Sequence, residues 1–482
     1  MLYHSTRNAQ PQVDSARAVL EGLAPDGGLY MPEYIPSFDW QHTLTLSAQG
    51  MSAAILSALL PDIPNMEQLV QRAYTGKFQT EELTPTVSAG DFHVLELFRG
   101  PTSAFKDVAL SMLPQLLTAA RSACGAQKEI MILTATSGDT GKAALAGFAD
   151  VPGVKICVFY PDGGVSKVQR AQMVTQEGNN VTVCAVRGNF DDAQTGVKNI
   201  FAACQGKELP CDLSSANSIN IGRLAPQVMY YFKAYRDLLD AGSIQPGDKV
   251  NFSVPTGNFG DILAGYIAKL LGLPVGMLIC ASNANNVLTD FIRTGTYDRR
   301  RKLLKTTSPS MDILVSSNLE RLLYLMSGCD TGLVAELMAK LNAEGVYTVP
   351  AAVKEAIGRE FYAGFCDDET AAETIAKVWK EQHYLCDPHT AAGWAVAENY
   401  VSETGDTRPM VVLSTASPYK FPAAVLEAIG GDLCGDEFDQ MEQLSSITGV
   451  AIPENLASLR GRPERHLGVI NKDEMLSFVL GL

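Results

Sequence analysis

A single lysine, Lys106, stands in the largely apolar stretch GPTSAFKDVAL, residues 100–110. It follows a Gly-Pro-Thr-Ser turn, just inside the start of a predicted helix, and the strand-like run 92–97 precedes that turn. Burial lowers the basicity of a lysine amine, which can then act as a nucleophile or a proton carrier. Lys106 is therefore a candidate catalytic residue.

A glycine-containing loop, SVPTGNFGD at residues 253–261, lies between a predicted strand and a predicted helix. Gly257 and Gly260 have no side chains, so backbone N–H groups can approach a ligand closely, and Asn258 tolerates left-handed geometry. Together these three residues form a predicted anion nest at a positive helix end, suited to a phosphate. An ordinary strand-to-helix turn is the alternative. Neither a GxGxxG nor a P-loop pattern is present.

The loop TATSGDTGKAA, residues 134–144, also connects a predicted strand to a predicted helix. Ser137, Thr140 and the N–H groups near Gly138 and Gly141 are candidates to bind a carboxylate. The GDTGK stretch is not a P-loop, because only two residues separate its glycines and Ala143 occupies the position of the magnesium-binding hydroxyl.

Two further polar stretches precede helices. SSANSINIGR, residues 214–223, supplies neutral donors and one guanidinium suited to a carboxylate or phosphate: Asn217, Ser218, Asn220 and Arg223. STASPYKF, residues 414–421, places the Thr415 hydroxyl at a strand end. A plain loop and a helix cap are the respective structural alternatives.

The combination of a lysine with a phosphate nest indicates pyridoxal phosphate. Lysine forms a Schiff base with the aldehyde of this cofactor, which then withdraws electrons from the α-carbon of a substrate. Such a site needs the lysine, a phosphate cup, a partner for the ring nitrogen and donors for the substrate carboxylate. The five stretches described above offer a candidate for each of these four needs.

The elements that must position these residues alternate along the chain. Strands rich in Val, Ile and Leu are predicted at 129–134, 154–160, 181–186, 250–254, 275–281 and 411–414. Helices are predicted at 140–149, 167–176, 191–204, 223–240, 258–271 and 419–429. Repeated strand–loop–helix units predict parallel α/β sheets, which bind ligands at the carboxyl ends of their strands. We interpret residues 294–386 as an inserted segment that is mostly helical.

Composition narrows the functional class. The 482 residues are 46% hydrophobic and 19% charged, with a formal net charge of −15, which predicts large cores and argues against nucleic-acid binding. No run reaches the length of a membrane span, and residues 1–12 do not resemble a signal peptide. The ten cysteines form no CxxC pair, so we expect reduced thiols, no metal site and a cytoplasmic location.

The sequence resembles threonine synthase, a fold-type II pyridoxal-phosphate enzyme, in its long bacterial and fungal form. Seven stretches carry the resemblance in the expected order: GLAPDGGLYMPEYIP (22–36), GPTSAFKD (100–107), TSGDTGKAA (136–144), NSINIGR (217–223), VPTGNFGDILAGYIAK (254–269), DPHTAAG (387–393) and STASPYKF (414–421). Residues 295–380 match only in length and helical character.

The resemblance implies roles for particular residues. Lys106 is the implied Schiff-base lysine, Thr415 the partner of the pyridine nitrogen, and the cofactor-phosphate loop comprises Gly257, Asn258, Phe259 and Gly260. The loop that closes on the substrate carboxylate comprises Ser137, Gly138, Asp139, Thr140 and Gly141. We expect the Asp139 carboxylate to repel that group, so that neighbouring N–H groups bind it. Candidates for the substrate phosphate are Lys167, Asn217, Ser218, Asn220 and Arg223. Asp107 is expected to be a structural anchor, and His389 has either a capping or packing role or a catalytic one.

The implied reaction converts O-phospho-L-homoserine and water to L-threonine and phosphate, by γ-elimination followed by β-addition of water. The same loops would serve a phospho-lyase that releases 2-oxobutyrate, and serine/threonine dehydratases are a more distant option. A nucleotide-binding protein or a non-catalytic homologue is disfavoured, because the P-loop is missing and Lys106 and the glycines are present.

The expected architecture has three parts. Residues 1–90 form an N-terminal subdomain. Residues 91–135 and 225–482 form the large cofactor-binding domain, with the helical insertion at about 295–385, and residues 136–224 form a small domain that closes on the substrate. The expected partner is a small-molecule substrate, without nucleic acid or membrane, and the expected assembly is a monomer or homodimer.

Overall fold

Two parallel β-sheets organise the chain, whose computed structural model describes residues 1–136, 138–204 and 207–482. The first sheet has six strands, parallel except for the last, which is an antiparallel edge. In spatial order they are Phe361–Phe365, Val275–Ser282, Val250–Pro255, Met410–Ser414, Phe92–Glu96 and Thr86–Ala89. The central strand Val250–Pro255 is buried at every position, because helices cover both faces of the sheet.

The second sheet has five strands, all parallel. In spatial order they are Gly468–Asn471, Val181–Arg187, Val154–Pro161, Glu129–Ala135 and Cys211–Ser214. Its helices are Asp139–Phe148, Lys167–Val174, Phe190–Cys204 and Met475–Leu480.

An N-terminal unit packs beside these sheets. A three-stranded antiparallel sheet is formed by Asn8–Asp14, Leu2–Ser5 and Tyr30–Pro32. The accompanying helices are Ser15–Glu21, Trp40–Thr43, Ala48–Leu59 and Met66–Tyr74. Residues of this unit join the main hydrophobic core, and its helices contact the helices Lys106–Ala123 and Val228–Asp240.

Helices complete the first-sheet domain. They are Lys106–Ala123, Ile221–Leu224, Val228–Asp240, Gly260–Leu270, Val287–Thr294, Pro388–Thr404, Pro422–Ala428, Glu437–Thr448 and Glu454–Ala457. The segment between the strands Val275–Ser282 and Met410–Ser414 is helical as predicted, with Leu319–Met326, Thr331–Glu344, Ala351–Glu360 and Asp368–Gln382. It also contains the hairpin Thr296–Asp298 with Val346–Thr348, and the strand Phe361–Phe365 that extends the first sheet.

The predicted parallel α/β class is confirmed, but the sheets divide the chain differently from the expected boundaries. The strand Glu129–Ala135, expected in the large domain, lies in the second sheet, where it pairs with Val154–Pro161. The C-terminal strand Gly468–Asn471 also joins that sheet, beside Val181–Arg187. Long-range pairing decides both assignments, and a local pattern of apolar residues does not encode it. Among the helices that the structure describes, none is long and apolar enough to span a membrane.

Candidate active site

Lys106 is the first residue of the helix Lys106–Ala123, which begins without a side-chain cap. The neighbouring carboxylate of Asp107 organises the preceding turn, since it accepts hydrogen bonds from Thr102 N at 2.8 Å and from Thr102 Oγ1 at 2.6 Å. A Cβ at Gly100 would lie 2.5 Å from Asp107 Cβ, so the turn needs glycine there. Asp107 is buried and fully engaged, in agreement with its expected role as an anchor.

The Lys106 amine lies in a mixed polar environment. Its Nζ donates to Ser310 Oγ at 3.0 Å and lies 5.4 Å from the centroid of the Phe105 ring. Loss of hydration lowers the pKa of Lys106 to about 8, which leaves a useful fraction of neutral amine near neutral pH. Four charged groups act on this pKa, two carboxylates that raise it and two cations that lower it: Asp139, Asp107, Lys420 and Arg223.

Thr415 follows the strand Met410–Ser414, and its segment pairs directly with the turn before Lys106. Phe105 N donates to Thr415 O at 2.8 Å, and Ser417 N donates to Ser103 O at 3.1 Å. The Thr415 residue is buried, and its hydroxyl has no hydrogen-bond partner within the described ranges. The structure thus brings the predicted hydroxyl partner and the predicted lysine to one sheet edge.

The glycine loop ends the central strand and starts the helix Gly260–Leu270. Phe259 has a φ of 61°, in the left-handed region, and its side chain is buried. A Cβ at Gly257 would lie 2.5 Å from Ser310 O, so only glycine fits there. In the described part of the chain, the N–H groups of Gly257, Asn258 and Phe259 have no acceptor. Unpaired donors at a helix N-terminus match the predicted phosphate cup.

Three residues of the helical insertion, Ser310, Ser316 and Asn318, complete this edge and were not predicted as site residues. Ser310 contacts Lys106, Ser316 Oγ donates to Gly257 O at 2.8 Å, and Asn318 N donates to Asn258 O at 3.0 Å. The only local signal was the density of serine and asparagine in SPSMDILVSSN between helical patterns.

The predicted carboxylate loop begins the helix Asp139–Phe148. The N–H groups of Gly138 and Gly141 both donate to Thr136 Oγ1, at 3.0 and 2.9 Å. Carboxylate binding by these two N–H groups therefore requires that Thr136 release them. Thr140 is half-buried, and Ser137 lies outside the described residues.

The Asp139 carboxylate was expected to repel a substrate carboxylate, but in the structure its charge is balanced by a lysine. Its Oδ1 lies 2.6 Å from Lys420 Nζ and accepts from Gln169 Nε2 at 3.1 Å. Burial, the largest single effect, raises the pKa of Asp139, but the charges of Lys420 and Lys106 and the hydrogen bonds from Lys420 and Gln169 together outweigh it and hold the pKa well below its ordinary range. The pair is close to neutral overall, so repulsion of a substrate carboxylate is largely cancelled. Lys420 belongs to the STASPYKF stretch but was not predicted as a site residue.

The polar loop at 214–223 contributes one charged group. Arg223 is buried, donates from Nη1 to Ala216 O at 2.6 Å, and leaves its Nε without an acceptor. Within the described ranges no carboxylate pairs with it, and burial lowers its pKa to about 10. Ser218 is half-buried and lies 3.3 Å, Oγ to Oγ, from Ser317 of the insertion.

The two asparagines predicted as ligands in this loop are placed differently from Arg223. Asn220 uses its amide structurally, because Nδ2 donates to Val19 O at 2.9 Å and Oδ1 accepts from Gly222 N at 2.8 Å. It caps the short helix Ile221–Leu224 and joins that helix to the N-terminal unit. Asn217 is exposed.

Lys167 also lies away from the charged groups around Lys106. Its side chain is 66% exposed and pairs with Asp436 at 3.5 Å, and its backbone N–H donates to Glu437 Oε1. The Ser166 capping box starts the helix here and turns Lys167 toward the C-terminal segment. The buried lysine beside Lys106 is instead Lys420.

His389 lies at the start of the helix Pro388–Thr404, behind the cap residue Asp387. Its Nδ1 lies 2.6 Å from Asp387 Oδ2, and its Nε2 accepts from Ser310 N at 3.1 Å. Both His389 and Asp387 are buried. His389 therefore contacts the residue that contacts Lys106, and it does not itself contact the amine.

Two parallel α/β domains, with a half-buried lysine between a phosphate-cup loop and a strand-end hydroxyl, define a fold-type II pyridoxal-phosphate-dependent enzyme. Family models agree along the chain. Residues 2–74 match "Threonine synthase N terminus", residues 78–416 match "Pyridoxal-phosphate dependent enzyme", and residues 390–477 match "Threonine synthase, C-terminal". The chain belongs to the threonine synthase family, a family of pyridoxal-phosphate-dependent lyases, which confirms the resemblance carried by the seven motifs.

Individual relatives support this assignment. Threonine synthase of Pseudomonas aeruginosa is 39% identical over 472 residues, which cover 96% of this chain and 95% of that protein. The crystal structure of pyridoxal-phosphate-bound threonine synthase from Brucella melitensis superposes with a TM-score of 0.88 at 39% identity, covering 100% of this chain and 99% of the other. Human threonine synthase-like 1 is 39% identical over 435 residues; the match covers 86% of this chain but only 58% of that longer protein.

Proposed function

We propose that this chain converts O-phospho-L-homoserine and water to L-threonine and inorganic phosphate. The observation that carries the proposal is Arg223, a buried guanidinium that acts on the pKa of Lys106 and has no counter-ion among the described residues. A buried charge without a partner is costly, and a phosphate ester bound beside Lys106 would supply the missing anion. Lys420 does not compete for that anion, because Asp139 already pairs with it.

The residues present fit pyridoxal phosphate as the resident cofactor. The unpaired N–H groups of Gly257, Asn258 and Phe259, with the glycine at position 260, would hold its phosphate. The Thr415 hydroxyl would face the ring nitrogen. A neutral hydroxyl there, in place of a carboxylate, favours an unprotonated ring. When bound, the cofactor supplies an aldehyde that captures amines and a ring that withdraws electrons from the substrate α-carbon.

The chain's own residues would transfer protons and bind the phosphate and carboxylate groups of the substrate. Lys106 Nζ removes the proton from the substrate α-carbon and later returns one, a task suited to an amine with a pKa of about 8. Arg223 holds the phosphate and stabilises the charge that grows on it as it departs. Ser137, Asp139 and Thr140 would bind the carboxylate through the helix start. The N–H groups of Gly138 and Gly141 would join them once Thr136 Oγ1 releases these two donors. Ser218, in the same loop as Arg223, would donate a further hydrogen bond to the phosphate.

The test is product analysis with the purified, cofactor-loaded chain and O-phospho-L-homoserine. Proton NMR is expected to show threonine, with phosphate released in equal amount. The variant Lys106→Ala is expected to lose both turnover and the visible absorbance of lysine-bound pyridoxal phosphate. His42→Asn, at a remote exposed position, serves as the purification control.

Other products would separate the alternatives. Release of 2-oxobutyrate with ammonia and phosphate would keep the cofactor chemistry and replace the synthase by a phospho-lyase. Absorbance without turnover would mean that the substrate is wrong. An unchanged absorbance in Lys106→Ala would remove Lys106 from its proposed role.

We also infer a cytoplasmic location and a homodimeric or monomeric state. All ten cysteines are free thiols, and six of them are buried, as is usual for proteins of reducing compartments. Fractionation of the native organism's cells and light scattering of the purified chain test the two inferences separately.

A further inference from the structure

Ser310 is the residue that receives the Lys106 amine, and it comes from a part of the chain remote in sequence. It lies in the 3₁₀ turn Pro309–Met311, 204 positions from Lys106, and its Oγ accepts from Lys106 Nζ at 3.0 Å. An ammonium group gains more from such an acceptor than a neutral amine does, because the charged donor makes the stronger hydrogen bond. Ser310 therefore influences where the amine points and how readily it loses its proton.

Two contacts fix the Ser310 backbone. Its N–H donates to His389 Nε2 at 3.1 Å, and its carbonyl packs over Gly257, where a Cβ would lie only 2.5 Å away. The turn itself is tied down by Asp312, which accepts from Asn283 Nδ2 at 2.8 Å and from Thr306 Oγ1 at 2.7 Å. Among these contacts, only the hydrogen bond to His389 joins the Ser310 backbone to a side chain.

The protonation state of His389 follows from its partners. A backbone N–H can only donate, so Nε2 must accept and carries no proton. Nδ1 lies 2.6 Å from Asp387 Oδ2, so it carries the ring proton. Asp387 is held in turn by the N–H groups of His389 and Thr390, both at 3.0 Å, as the cap of the helix Pro388–Thr404. The ring also packs on Phe421, 5.0 Å between centroids.

We propose that His389 is a positioning residue that acts on Lys106 through Ser310. A neutral imidazole, oriented by Asp387, holds the Ser310 turn so that the Ser310 hydroxyl stays within hydrogen-bond distance of the Lys106 amine. The proposal rests on the proposed function only in taking Lys106 as the reacting amine.

The proposal predicts linked changes in the pKa of Lys106. The charged groups that face this amine are Asp139, Asp107, Lys420 and Arg223, and none of them changes in the variants below. Ser310→Ala removes the acceptor for the ammonium form, so the pKa of Lys106 falls by about one unit. His389→Leu releases the turn and lowers the pKa in the same direction. His389→Gln, whose amide oxygen can replace Nε2 as acceptor, restores the wild-type value.

The first readout is the pH dependence of Lys106 acetylation in the full chain before cofactor loading, followed by mass spectrometry. The second is the pH profile of kcat for the loaded enzyme, whose acid limb is expected to move to lower pH by the same amount, with KM nearly unchanged. The double variant Ser310→Ala/His389→Leu is expected to match Ser310→Ala alone, because His389 acts only through Ser310. Ser308→Ala, in the same turn but bonded to Asn283, is the matched control and leaves the Lys106 pKa in place.

Two results would overturn the proposal: a wild-type Lys106 pKa in His389→Leu while Ser310→Ala shifts, or additive shifts in the double variant. If His389→Leu does not fold, His389→Asn takes its place, because its side chain reaches Asp387 but not Ser310. Borohydride reduction of the loaded wild-type chain tests the proposed function separately. If it fails to fix the cofactor on Lys106, the proposed function fails, whereas the acetylation result for Ser310 and His389 stands on its own.

Discussion

The Asp139 carboxylate lies 2.6 Å from the Lys420 ammonium group, and both side chains are buried. Asp139 starts a helix that packs on the second sheet, whereas Lys420 follows the strand Met410–Ser414 of the first sheet. Lys420 Nζ also donates to Thr102 O at 3.2 Å, in the turn before Lys106. The ion pair therefore joins the two domains directly beside the candidate catalytic amine.

Removal of either partner of this pair alone is expected to be costly. Asp139→Asn or Lys420→Met leaves an uncompensated buried charge, which typically destabilises a protein by about 3–5 kcal/mol. The double variant removes both charges and is expected to lose less than either single variant. Urea unfolding of the three variants checks this, and additive losses would contradict the pairing.

Asp261, one residue after the glycine loop, is expected to make stability depend on pH. Burial raises its pKa to about 7, although Tyr230 and Tyr231 donate to it, and its Oδ2 has no partner in the described structure. A raised carboxyl pKa gives stability that is fully present below the unfolded value, about 4, and is lost as pH rises through about 7. The free energy of unfolding should therefore fall by about 3–4 kcal/mol from this group between pH 4 and 8.

Asp261→Asn has no proton to lose there and is expected to flatten that part of the profile. Urea unfolding at pH 5 and pH 8 measures the difference for both proteins. Equal pH slopes in wild type and variant would show that Asp261 ionises freely.

Gly257 and Gly260 form a matched pair of substitutions in the cofactor loop. Alanine at 257 would place its Cβ 2.5 Å from the Ser310 carbonyl oxygen, whereas at 260 the nearest atom, Asn318 Nδ2, is 3.4 Å away. Overpacking against backbone costs about 1–3 kcal/mol, so Gly257→Ala should unfold at lower urea concentration before the cofactor is added, and Gly260→Ala should shift much less. A larger loss in Gly260→Ala would mean that the loop is packed differently.

Arg223→Met separates stability from substrate binding. Replacing an unpaired buried guanidinium by an apolar chain should leave the unfolding free energy unchanged or higher, because desolvation of the charge is no longer paid. The same change should raise KM for O-phospho-L-homoserine by about 10–100-fold, through loss of a charged contact of about 1.5–3 kcal/mol. Steady-state kinetics with inorganic phosphate as inhibitor measures the binding effect. Arg223→Lys keeps the charge, so its KM is expected to lie between those of the wild type and Arg223→Met. A destabilised Arg223→Met with normal KM would assign the residue a structural role.

Much of the fold followed from local sequence. The predicted strand 250–254 is Val250–Pro255, and the predicted helix 258–271 is Gly260–Leu270. Apolar runs flanked by turn residues specify such elements locally, without long-range contacts. The predicted helix 223–240 is instead broken into Ile221–Leu224, a 3₁₀ turn and Val228–Asp240, because Pro226 supplies no N–H for a continuous helix.

The sequence by itself determined the position of those residues whose role depends on the local conformation of the backbone. Gly257, the turn before Lys106 and the position of Thr415 at a strand end belong to this group, since each is encoded within a few residues. Only the tertiary structure decided which side chains complete the site. Ser310 reaches Lys106 across 204 positions, and Lys420 neutralises Asp139 from another domain. Such contacts depend on how the sheets and the insertion pack, and packing is a property of the whole chain.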